Sequence, residues 1–265
     1  MKVYINTDLE GICGFVDWEE AHFGTGRGIE YTKTFLTAEV NAAIEGILSE
    51  YSKAEIVVQD GHYGGYWGPS LLIEELHPQA TLIQGKRGVE ITGLDRSFDL
   101  LMGIGAHSMA GTKNGLMNHT CSLQIMNYWI NGVRVGEIGI WAAIAGYYDV
   151  AIGLISGDYW AIEEARTLLG DIEGVAVKKG INMYTADCFN PTVSRQKIKE
   201  AAMSAVKNID RFKPYKVEPP IEIKIEYTST HLADKAELRY GVKRCDGRTV
   251  CYTGDDFISL LNQTY

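Results

Sequence analysis

The chain has 265 residues, of which 46% are apolar and 22% charged, and a formal net charge of −9. That composition belongs to a globular protein with a sizeable core, either one large domain or a domain with a smaller lobe. The acidic balance argues against a nucleic-acid partner, which calls for a basic face, and no apolar run reaches the ~20 residues that cross a bilayer.

Taken in chain order, Lys2-Val3-Tyr4-Ile5-Asn6 is a buried strand that ends in Asp8, Glu10 and Gly11. A Gly- and aromatic-rich loop follows to about Ile29, and TKTFLTAEVNAAIEGILSEY has the helical spacing of Phe35, Ala38, Val40, Ala43, Ile44 and Ile47. AEIVVQD (54–60) is a strand ending in Asp60-Gly61-His62, followed by the run YGGYWGPS. SLLIEEL (70–76) predicts a short helix with His77 at its end, and ATLIQG (80–85) a strand. FDLLMGIGAH (98–107) is an apolar strand that ends in His107, and a polar loop leads from it to His119.

Asn131-Gly132 between two strand-like runs predicts a hairpin, because this pair supplies the positive φ angles of a type I′ turn. Glu137 follows the hairpin. WAAIAGYYD (141–149) reads as a helix, VAIGLISG (150–157) as a buried strand, and DYWAIEEARTLLG as a helix capped by Asp158. GVAVKK is a further strand and PTVSRQKIKEAAMSAVKNIDRF an exposed helix. In the last part IEIKIEYT, KAELRYGVKR and RTVCYTG read as period-two strands with one polar face.

Strands alternating with helices predict an α/β fold, a mainly parallel three-layer sheet with helices on both faces, plus an α+β C-terminal portion. The expected division is a metal-binding catalytic region over 1–190 and a C-terminal portion over 191–265, the latter either separate or part of the same compact domain. The five cysteines, at 13, 121, 188, 245 and 251, are odd in number and contain no Cys-x-x-Cys. Free, mostly buried thiols are expected, and with an N-terminus that lacks a signal-peptide pattern they suggest a cytoplasmic location.

Three predicted buried strands end in acid or imidazole: Asp8 and Glu10, Asp60 and His62, and His107. In open α/β sheets ligands bind at the carboxyl ends of the strands, and charge at a core edge needs a partner. His119 and Glu137 are further candidates. The donors are oxygen and imidazole without thiolate, which suits zinc, manganese or iron(II), with zinc first. Three carboxylates and two imidazoles exceed the needs of one catalytic zinc and point to two metals ~3.5–4 Å apart. Walker A, G-x-G-x-x-G, G-x-S-x-G and H-E-x-x-H motifs do not occur.

Several segments together resemble the zinc-dependent D-aminopeptidases of the DppA type, peptidase family M55. They are YINTDLEG (4–11), VVQDGH (57–62), GIGAH (103–107), NGLMNH (114–119), INGVRVGEIG (130–139), AGYYDV (145–150) and ISGD (155–158). The resemblance implies that Asp8 bridges two zinc ions, that Glu10 and His107 bind one of them, and that His62 and Glu137 bind the other. It assigns His119 as the catalytic histidine. It further implies release of N-terminal D-amino acids from short peptides, and a cytoplasmic homo-oligomer, a decamer of two pentameric rings. The loop between His107 and His119 departs from the family pattern: it is one residue longer, lacks the usual Pro before Gly, and has Asn118 where Ser is common. The alternatives are a dinuclear metallohydrolase acting on another amide or ester, and a non-catalytic peptide-binding protein. Asp60 is expected to support a ligand by a hydrogen bond, or to serve only as the acid of a turn before Gly61.

Overall fold

A computed structural model describes residues 1–18, 27–62, 68–85 and 91–264. His22 and most of the YGGYWG run lie outside the described residues. The N-terminal strand β1 (Lys2–Thr7) pairs in parallel with β2 (Glu55–Gln59) on one side and with β4 (Leu100–Ala106) on the other. β3 (Ala80–Ile83) extends the sheet beyond β2, and β7 (Ala151–Asp158) and β8 (Glu173–Asn182) extend it beyond β4, all parallel. β9 (Thr185–Cys188) closes the far edge antiparallel, in the order β3-β2-β1-β4-β7-β8-β9. β4 and β7 are buried at every residue, as parallel strands covered on both faces require.

The long helix α1 (Arg27–Glu50) connects β1 to β2, and α3 (Tyr159–Leu169) connects β7 to β8. These crossovers move outward from the centre in opposite directions. Right-handed connections therefore put the two helices on opposite faces of the sheet. α4 (Pro191–Lys207) packs against α1, and α2 (Glu137–Tyr147) against α3. The strand order reverses between β1 and β4, which opens a crevice at their carboxyl ends.

A second, antiparallel sheet has the order β11-β12-β10-β5-β6. It joins the hairpin β5 (Ile125–Ile130) and β6 (Val133–Arg134) to β10 (Ile221–Tyr227), β11 (Lys243–Arg244) and β12 (Thr249–Gly254). Asn131 and Gly132 have φ of 47° and 78°, as the I′ turn demands. Both structural layers cross position 190: β10 pairs with β5, and α4 packs on α1.

Four expectations are corrected. Residues 70–76 form turns, not a helix. A single turn is costly to nucleate, and here Ser70 N and Leu71 N donate to Asp60 Oδ2 (2.7 and 3.3 Å). Residues 235–244 are not one strand, because α5 (Thr230–Glu237) takes the first of them and buries Ala233 and Ala236 on one face. The helix expected to be exposed, α4, buries Ile198, Ala201, Ala202, Ala205 and Val206. Cys245 and Cys251 form a disulfide, brought together by the β11–β12 pairing, while Cys13, Cys121 and Cys188 stand outside it, with Cys13 buried and Cys188 exposed.

Candidate metal centre

β1, β2 and β4 each deliver side chains to the same end of the sheet. Asp8 follows β1, and its N–H donates to Ile104 O of β4 at 2.8 Å. The chain then turns back over β4, with Gly11 N donating to Gly105 O at 2.7 Å. A Cβ at Gly11 would lie 2.0 Å from Ala106 O, and one at Gly61 would lie 2.2 Å from Thr7 O. Only glycine allows these approaches, and they set the adjoining Glu10 and His62 over the crevice. His107 directly follows β4. Glu137, just after the hairpin, is the first residue of α2, and its carboxylate accepts from Cys121 N at 2.8 Å.

The six candidates converge. Asp8, Glu10 and His62 form one group whose ligand atoms all lie within 4.8 Å of one another, and His107, His119 and Glu137 form a second. Nε2 of His62 is 3.1 Å from Glu10 Oε1. Nε2 of His107 lies 3.2 Å from Glu137 Oε1 and 3.4 Å from Asp8 Oδ2, so Asp8 stands between the groups. The His119 ring stacks on His107 at 4.0 Å, with Nε2 3.7 Å from Glu137 Oε1.

Nδ1 of His107 faces Ser108 O at 3.0 Å, and Nδ1 of His119 faces Met117 O at 2.8 Å. A carbonyl can only accept, so each Nδ1 carries a proton, and each Nε2 is turned toward the carboxylates, donating to them when the ring is charged and offering its lone pair to a metal when the ring is neutral.

The groups of the crevice strongly shift one another. Burial, reinforced by the charge of Glu10, pushes Asp8 well above the usual carboxylate range. Burial works in the same direction on Glu10, but the adjacent His62 outweighs it and holds the carboxyl well below that range. Glu137, also buried, is held at about 2 by the charge and hydrogen bond of His107. Burial opposes a charge on His107, yet Glu137 and Asp8 raise it well above the ordinary imidazole value. Burial and the charge of His107 lower His119. Asp8 Oδ2 and Glu10 Oε2 are buried and make no hydrogen bond. Such atoms are expensive to bury unless a cation meets them, and an all-oxygen-and-imidazole donor set of this kind fits zinc.

Three features escape sequence reasoning. Trp18 donates from Nε1 to Glu10 Oε1 at 2.9 Å and meets His119 edge-on at 5.5 Å. Lys178 of β8, fully buried, donates from Nζ to Glu10 O at 2.5 Å and to Phe15 O. Glu39 of α1 accepts from Cys13 N at 2.9 Å. A lone tryptophan downstream of Glu10 and a lysine in a strand carry no signal of this in the sequence. Asp60 accepts from Ser70 N, Leu71 N and Gln84 Nε2, so it ties down the distant 70–71 segment, and none of these three partners is a ligand candidate. The loop between His107 and His119 is tied internally. Gly111 N donates to Asn118 Oδ1 (2.9 Å) and Asn118 Nδ2 to Gly115 O (2.8 Å), so Asn118 closes the loop on itself.

The relatives of this chain are consistent with that chemistry. The family model for peptidase M55, described as D-aminopeptidase, matches residues 1–264. A D-aminopeptidase of Bacillus subtilis (strain 168) is 32% identical over 251 residues, covering 94% of this chain and 89% of that protein. The solved structure of the Zn-dependent D-aminopeptidase DppA from Bacillus subtilis, a self-compartmentalizing protease, superposes with a TM-score of 0.92 at 30% identity, covering 100% of this chain and 95% of the other. With the strand-end carboxylates and imidazoles in one crevice and the match running the length of the chain, the protein belongs to the M55 peptidase family of D-aminopeptidases.

Proposed function

We propose that the protein is a dinuclear zinc aminopeptidase that releases N-terminal D-amino acids from short peptides. The observation that carries this reading is the convergence of Asp8, Glu10, His62, His107 and Glu137 at the switch point, with His119 stacked beside them. Asp8 is the shared ligand, because it lies in reach of both groups. Glu10, His62, His107 and Glu137 complete the two coordination shells. When bound, a zinc pair supplies a hydroxide near neutral pH and polarises the carbonyl under attack.

His119 is the catalytic residue. Its Nδ1–H is fixed on Met117 O, so Nε2 is the atom free to exchange a proton, and the lowered basicity keeps that nitrogen unprotonated and ready at pH 7. Its task is to carry a proton to the leaving amine. Trp18 holds Glu10 from the outer side and walls the His119 ring. Among the described residues the cations on the ligand-bearing segments are Lys113 and Arg134, too few to favour a phosphoester over an amide.

The same reading extends to the assembly. The DppA relative is self-compartmentalizing, and we take this chain to be a homo-oligomer, a decamer of two pentameric rings. A single-chain mass by light scattering would contradict that. Residues 1–190 and 191–265 act as one compact domain, supported by the β5–β10 pairing and the α1–α4 packing. Among the described residues no helix is long and apolar enough to cross a membrane. The cytoplasm is the location that suits the three cysteines outside a disulfide, and the Cys245–Cys251 bond is the feature that fits it less well.

Hydrolysis of matched short peptides with D- or L-residues at the N-terminus, with chelator and with zinc restored, tests the activity. Chelator-sensitive cleavage that favours the D-peptides is expected. Cleavage that persists after complete metal removal would overturn the metallopeptidase reading. Equal cleavage of both series would overturn the D-preference.

A further inference from the structure

The segment from Glu10 to Phe15 leaves the end of β1 and carries a ligand without belonging to any helix or strand. Its position therefore depends on how its backbone groups are met. Gly11 N is held by Gly105 O, Cys13 N by Glu39 Oε1, and the two carbonyls Glu10 O and Phe15 O by one atom, Nζ of Lys178. Lys178 reaches them from β8, two strands beyond the β4 edge of the crevice. It has no exposed surface. Its register neighbour on β7 is Asp158, whose carboxylate accepts from Gly180 N (2.8 Å) and Trp160 N (3.3 Å). Gly180 in turn packs under the loop that leads to His119: a Cβ there would lie 2.2 Å from Asn114 O.

Burying an ammonium costs several kcal/mol even after relaxation. A tie that only stabilised the fold could be made by a neutral donor. The charge lies amid Asp158, Glu39 and Glu10, and it grips the backbone carbonyl of the ligand residue itself.

We infer that Lys178 is a positioning residue for the metal centre: by clamping Glu10 O and Phe15 O it fixes the Glu10 carboxylate for the ion that Glu10 binds. The inference rests on the dinuclear reading above. It concerns neither the chemistry nor the substrate. Groups that orient ligands from behind typically set metal affinity by 10–100-fold.

The test is Lys178→Met in the full-length oligomer, stripped by chelator and titrated with zinc against a chromophoric competitor. One zinc site is expected to weaken by about 10–100-fold and the other to match the parent, with turnover recovered when zinc saturates. Two sites of parental affinity in a variant that merely melts earlier would reduce Lys178 to a structural prop and overturn the inference. A tighter site, from relief of charge repulsion, would overturn it as well. If Lys178→Met does not fold, Lys178→Gln, which keeps one amide donor, is titrated in its place, with the same selective weakening expected and unchanged affinities counting against it. Glu10→Gln separates the two levels of the argument. It should remove one ion outright, and if it retains both, Glu10 is not a ligand and the premise of the inference fails while the two-metal reading stands.

Discussion

Three buried carboxylates, Asp8, Glu10 and Glu137, share a crevice with three imidazoles. At the scale of single residues the division of labour follows from their partners. His107 is closed in, with Nε2 between Glu137 and Asp8. His119 stacks outside it, more exposed and farther from Glu137. His119→Ala should therefore keep both zinc ions and lose turnover by about 10²–10⁴-fold, the usual range for general acid–base catalysis. Steady-state kinetics paired with metal analysis checks this. Near-normal turnover with both metals bound would remove His119 from the mechanism, and loss of an ion would make it a ligand. Asp8, Glu10, His62 and His107 were legible in the sequence because each ends or closely follows an apolar strand, where charge is conspicuous. Glu137 and His119 stood out as further candidates by their place in the chain, and only the family resemblance gave them roles. Trp18 and Lys178 were not, since their roles depend on which backbone atoms the fold brings to them.

At the scale of elements, the strands with continuous apolar runs and the Asn131-Gly132 hairpin were readable, because burial on both faces and positive φ restrict composition strongly. The 70–76 segment was misread because its helix-like pattern is overruled by a distant acid, Asp60, that captures its first N–H groups. The 235–244 segment was misread because a two-residue spacing and a short amphipathic helix look alike over so few residues. α1 carries a further consequence. Its Glu39 is buried, with Oε2 making no hydrogen bond, and burial pushes its carboxyl up to about 7 from an ordinary 4.5. Between those two values the folded state binds more protons than the unfolded one. This group therefore contributes falling stability as pH rises from about 4.5 to 7, with no recovery above. Glu39→Gln, which cannot ionise, should raise the melting temperature over the parent by roughly 5 °C at pH 8 and leave it unchanged at pH 4.5. Thermal melts of both zinc-saturated proteins across that window are the check. An equal shift at both ends would assign the effect to packing and not to charge.

At the scale of the whole molecule, the parallel sheet with helices on both faces and the antiparallel C-terminal strands follow from the alternation of elements along the chain. The join between them does not. The second sheet takes β5 and β6 from the middle of the chain and β10 to β12 from its end, a pairing that no local pattern encodes. Its result is that the hairpin preceding Glu137 is anchored by the C-terminal strands, so the far end of the sequence helps to place a residue of the centre. The order β3-β2-β1-β4-β7-β8 puts the switch point between β1 and β4, where Asp8 meets His107. All else proposed for this protein depends on two ions at that point. The most direct measurement is the zinc content per chain of the purified protein by elemental mass spectrometry, before and after dialysis against chelator and after zinc is restored. The account predicts two ions per chain, removed together with activity and regained with it. One ion per chain, or full activity with none, would contradict it.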